Sequence, residues 1–221
     1  MSDDSFFREV DQELRQDQAK ALWDRYGTAI IAAAVAVVLA TAAWVGWDYW
    51  TQSRADASGD AYLQALELAR DGRTEEARAA LAALEADGYG AYPVLARMRS
   101  ATLLAEAGDH AGAVSGFDRV AADSAIPPSL REMARLRAGL LLVDHGSYAD
   151  VAGRVETLTT ETSPLRHSAR EALALAAWKE GRMADAATLF DQIVDDEGAP
   201  QNLRQRATLM SELIRGSGTS S

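Results

Sequence analysis

Three histidines (His110, His145 and His167), a run of acids (Asp195, Asp196, Glu197) and a series of arginines are the side chains in these 221 residues that could carry chemistry. A histidine metal centre on a helix wants a second His or Glu one turn on, and none of the three is read as having one in a metal-binding pattern. His110 and His145 fall beside different turns, so all three read as surface histidines and the acidic run as a solvated helix end. There is no cysteine, which excludes disulfides, thiolate metal sites and thiol nucleophiles. No nucleophile elbow, P-loop or dinucleotide fingerprint occurs. The expectation is therefore no catalytic residue, no metal, no cofactor and no small-molecule substrate. A formal net charge of −11 also argues against nucleic acid, which asks for a basic face. Arg97, Arg135 and Arg170 each follow an alanine and stand eleven residues before a glycine, with Arg99 and Arg137 as a second pair. They read as staples to acids on neighbouring helices.

The elements that must position these groups follow from internal repetition. Gly72, Gly108, Gly146 and Gly181 are spaced 36, 38 and 35 apart, and Pro93, Pro128, Pro164 and Pro200 keep intervals of 35, 36 and 36. Proline suits a helix's first turn, and glycine past its end supplies a left-handed cap. Each Pro-to-Gly stretch is thus one helix, each Gly-to-Pro stretch a second, and the unit an antiparallel hairpin. Seven before the glycines stand Ala65, Ala101, Gly139 and Ala174; five after stand Ala77, Ala113, Val151 and Ala186; nine after stand Leu81, Phe117, Val155 and Phe190. Small side chains at the first two positions let paired helices approach closely. With 48% hydrophobic residues and 45 alanines, the composition also reads as all-α. A last helix, about 200–215, would cap the array, and 216–221 would be a disordered tail.

A mean hydropathy of −0.16 hides an anchor. Residues 26–47 carry no charge, and a 22-residue helix is about 33 Å long, enough for a bilayer core of about 30 Å. Trp23 and Tyr26 precede it, and Trp44, Trp47, Tyr49 and Trp50 close it, as aromatic belts do. A buried core helix or a cleaved signal peptide would compete. A core helix apolar all round needs a larger protein around it, and the polar leader is 25 residues long and acidic. Arg8, Arg15, Lys20 and Arg25 precede the span, whereas only Arg54 follows closely. The positive-inside rule then predicts a cytoplasmic segment over 1–25, an uncleaved anchor contacting lipid over 26–50, and an exported domain over 51–215. Apolar positions at helical spacing within 1–25 leave open a docking helix for a cytoplasmic partner.

The spacings around each glycine resemble the tetratricopeptide repeat. Repeats two and four match best; the third departs at Val151, and none carries the usual tryptophan and tyrosine of the first helix. That resemblance implies that the first helix of each hairpin lines a binding groove. Carried over by spacing, it gives Leu95, Met98, Thr102 and Ala105, then Met133, Leu136, Leu140 and Val143, then Leu175 and Trp178. The strip is apolar, suited to varied partners, though the same positions also serve as core in degenerate repeats. The whole layout, with Phe7 to Leu14 reading FREVDQEL and Leu22 to Gly27 reading LWDRYG, resembles the ancillary subunit family of the bacterial SecYEG translocon, alphaproteobacterial type. The resemblance implies a single-pass inner-membrane protein whose periplasmic domain assists exported polypeptides as a chaperone or scaffold, with no catalytic residues. An adaptor or regulator for another envelope complex is the alternative.

Overall fold

The computed structural model describes residues 3–218, with side chains for residue 20 and residues 23–216. Among these it is all-α, with nine α-helices, one short 3-10 helix and no strand. The chain divides into two compact units, Met1–Asp56 and Ala57–Ser221.

The first unit belongs to helix α1 (Asp3–Arg70). Side chains 28–50 are all exposed, and Val37, Val38 and Leu39 each show about two-thirds of their surface. A core helix would be covered; this one is long and apolar enough to cross a membrane and none of its apolar window is buried. Thr41, within the apolar run, donates its hydroxyl to the Val37 carbonyl at 2.8 Å. At the ends Arg25 lies over the Tyr26 ring and Arg54 over the Trp50 ring, 5.6 and 5.1 Å from the centroids.

The second unit is an array of hairpins. The end of α1 pairs with α2 (Thr74–Asp87), α3 (Tyr92–Glu106) with α4 (His110–Ala122), α5 (Pro128–His145) with α6 (Tyr148–Val155), and α7 (Arg166–Lys179) with α8 (Met183–Val194). Helix α9 (Gln201–Gly218) closes it. It runs past residue 215, and residues 219–221 lie outside the described chain. The small residues expected at the crossings are there: Ala65, Ala77, Ala101, Ala113, Ala174 and Ala186 are at most 1% exposed. A methyl on Gly116 would stand 2.9 Å from Ala101 Cβ, so the α4 backbone packs directly on that methyl of α3. Leu81, Phe117, Val155 and Phe190 fill the interior beside them.

The third hairpin solves the same problem differently. Val151 takes the alanine position, and Gly139 on α5 makes room for Val155, because a Cβ there would collide with Val155 Cγ1. Helix α6 lasts only eight residues before a 3-10 turn, Glu156–Leu158. Its glycine also breaks the expectation of a left-handed cap. Gly72, Gly108 and Gly181 have φ of 76°, 87° and 76°, whereas Gly146 is extended at −133°. There the turn is built on a capping box, in which Ser147 and Asp150 satisfy each other's backbone N–H groups. The fourth hairpin supplies the rest. Lys179 Nζ donates to the carbonyls of Val143, Asp144 and Gly146 at 3.0, 2.7 and 3.4 Å, Glu180 accepts from Tyr148 N at 2.6 Å, and the Arg182 guanidinium lies 3.8 Å over the Tyr148 ring.

Helix α9 is tied back by Arg206 to Glu171 on α7 and by Ser211 and Arg215 to Asp191 on α8. Where α7 offers Ala174 and Ala177 to the core it shares with α8, α9 carries Glu212 and Arg215 thirty-eight positions later.

Candidate protein-binding face

Two polar links define one side of the array. Arg137 on α5 donates to Thr102 Oγ1 on α3 at 3.3 Å, and Arg206 on α9 grips Glu171 on α7 through two bonds of 2.8 and 3.0 Å. At helical periodicity Leu140 lies beside Arg137, Leu175 and Trp178 beside Glu171, and Leu209 and Leu213 beside Arg206. First helices and the closing helix therefore share a face.

The expected strip divides on that face. Met98 and Leu136 are 7% and 5% exposed and belong to the core, so they present nothing to a partner. Leu95, Thr102, Ala105, Met133, Val143 and Leu175 are half-buried, with Met133 packed on the α3–α4–α5 core and Leu175 on the α7–α8–α9 core. Thr102 spends its hydroxyl proton on the Met98 carbonyl at 3.0 Å. Leu140 and Trp178 are the accessible members, at 41% and 39%. Sequence reasoning missed Leu209 and Leu213, which are more exposed still at 66% and 54%. The strip's register hangs on each hairpin's turn glycine, and α9 leads into no such turn among the described residues. The signal that finds them is the interval from Leu175 to Leu213, thirty-eight residues, the same as from Thr102 to Leu140.

The polar clusters depart from expectation more sharply. His167 is not a surface residue. It is 7% exposed and its Nε2 meets Asp196 Oδ2 at 2.8 Å. Asp196 is not merely solvated: Arg166 binds it at 2.9 and 3.3 Å, Arg170 approaches to 3.6 Å and Gly198 N donates at 2.9 Å. Hydrogen bonding from Arg166, then from His167, holds its carboxyl well below the usual carboxylate range. Glu171 stands four residues after His167, but the two turn to different partners, Arg206 and Asp196. His110 and His145, expected at separate turns, stack with centroids 3.6 Å apart and planes 12° from parallel. Buried His110 Nδ1 has no hydrogen-bond partner among the described residues. Among the described residues no group of three or more His, Cys, Asp or Glu could hold a metal ion.

The staple reading of the arginines fits two of three. Arg97 pairs with Glu85 on α2 and Asp123 beyond α4, at 3.0 and 3.1 Å, and Arg170 binds the Thr159 carbonyl at 3.0 Å as well as approaching Asp196. Asp123 and Asp196 each stand fifteen after their hairpin glycine. In the third hairpin that place falls to Glu161, beyond the early end of α6, where it instead acts on Arg166. Arg135 has no ion pair among the described residues.

Comparison with protein families finds a match over residues 20–210 to one described as a tetratricopeptide repeat-like domain. No curated protein and no solved structure matches the chain.

Proposed function

This chain belongs to the tetratricopeptide repeat-like domain family, whose members are typically non-catalytic modules of protein–protein interaction, and from that premise we propose that it is an ancillary subunit of the SecYEG translocon. In this reading residues 1–25 are cytoplasmic, 26–50 cross the inner membrane, and 51–215 form a periplasmic array that binds exported polypeptides as a chaperone or scaffold. The observation that carries it is the exposed apolar series Leu140, Trp178, Leu209 and Leu213 on one face of the array, together with a helix apolar enough to anchor it. Exposed Leu and Trp side chains interrupted by Arg137, Glu171 and Arg206 fit varied apolar segments without demanding one sequence.

Site-directed photocrosslinking in membranes tests the reading. A benzophenone at residue 178 or 209 is expected to capture an arrested exported chain and a translocon subunit, while one at Glu197 captures neither. Adducts with cytoplasmic regulators alone would sink the translocon assignment and favour the adaptor alternative. Protease added to spheroplasts is expected to remove the array; protection until lysis would reverse the orientation.

A further inference from the structure

A cleft of about 610 Å³ opens where α4, the end of α5 and α6 meet, away from the Leu140–Trp178 face. Its floor is apolar, from Ala111, Val114, Ala122 and Leu142, and its polar lining is Ser115, Asp118, Arg119, His110, His145 and Arg154. Asp118 is already neutralised by Arg154 at 2.9 Å. Arg119 is different: it is exposed and has no ion pair among the described residues, in a chain with a net charge of −11. The His110–His145 stack also lines the cleft.

The repeat supplies an internal control. At the position of Arg119, eleven after the glycine, the other hairpins have Ala83, Thr157 and Gln192. At that of His110 they have Thr74, Tyr148 and Met183, and at that of His145 they have Asp71, Ala107 and Glu180. Arg154 is matched by Ala80, Gly116 and Leu189. Arg154 is spent on Asp118; Arg119, His110 and His145 recur at none of the corresponding positions, and all three line one cleft.

We propose that this cleft is a ligand site for a carboxylate carried on an apolar body. The volume suits a small molecule or a pair of side chains. Arg119 offers a planar fork to the carboxylate and Ser115 a hydroxyl, while Val114, Leu142 and the faces of the stacked imidazoles take the apolar part. The site is separate from the exposed apolar face, and its fate does not depend on the translocon assignment.

The test uses the full chain in nanodiscs and ligand-observed NMR. The probes are 2-naphthoate against 2-naphthamide, and acetyl-Phe-Glu-amide against acetyl-Phe-Gln-amide. At least one acid is expected to bind about tenfold or more tighter than its neutral twin. Binding of naphthoate points to a free acid as source, and binding of the peptide alone to an acidic side chain. Arg119→Gln is expected to lose about tenfold in affinity with an unchanged thermal melt, Arg119→Lys to recover part of it, and Trp178→Ala to change nothing. Equal binding of acid and amide, no binding of either acid, or full affinity in Arg119→Gln would each overturn the proposal.

Discussion

The third and fourth hairpins are neighbours cut to one template, yet they are stabilised by different means. The fourth keeps the standard crossing and turn: Ala174 meets Ala186, Phe190 fills the core shared with α9, Gly181 turns left-handed, and Arg170 reaches Asp196 at the far end. The third has Gly139 against Val155, an extended Gly146 and no acid for Arg135, and it takes Lys179, Glu180 and Arg182 from its neighbour to hold its turn. What persists between them is the close approach of paired helices and the satisfaction of helix ends, not the residues that provide either. In a solenoid, where each unit touches only the next, a weak unit can be completed by the one beside it.

That contrast can be broken at several points. Phe190→Ala should cost about 3–5 kcal/mol, read by urea denaturation of the full chain, because it empties the fourth hairpin's own core. Gly139→Ala should cost about 1–3 kcal/mol through collision with Val155, and adding Val155→Ala should destabilise by less than the sum of the two single changes; strict additivity would refute the compensation. Lys179→Ala should cost about 1 kcal/mol, and the loss should appear in the third hairpin rather than the fourth, as amide exchange at residues 146–148 faster by about fivefold. Asp196→Asn should flatten the acid limb of stability. The Asp196 carboxyl titrates below its ordinary value in the folded chain, so its contribution is complete above about pH 5 and is lost as pH falls through the unfolded value and below. An unchanged limb would mean the cluster is not coupled to folding.

Much of the fold was legible because helix pairing is written locally. The glycine and proline periods marked every turn, and the small and large positions around each glycine are the ones that the core buries. What escaped depends on pairs some thirty residues apart. His110 and His145 meet only because α4 and α5 are adjacent, and His167 is buried only because Asp196 folds back beside it. No periodicity carries that information. The candidate face was half legible: spacing named Leu140 and Trp178, but it could not separate them from Met98 and Leu136, since burial is decided by the neighbouring second helices. It stopped short of Leu209 and Leu213 because the closing helix lacks the punctuation from which register was counted.

That closing helix has a consequence for assembly. A stack of like units is in principle a growing filament, because the surface that receives the next hairpin is the same on every copy and a head-to-tail contact need not close. With Glu212 and Arg215 standing where α7 presents Ala174 and Ala177, α9 has no seat for another second helix, and Arg215 is already bound to Asp191. Charge at these two positions would act as a chain stopper on such a polymer: Glu212→Ala with Arg215→Ala is expected to make this face of α9 reactive, with concentration-dependent fibre formation as the sign.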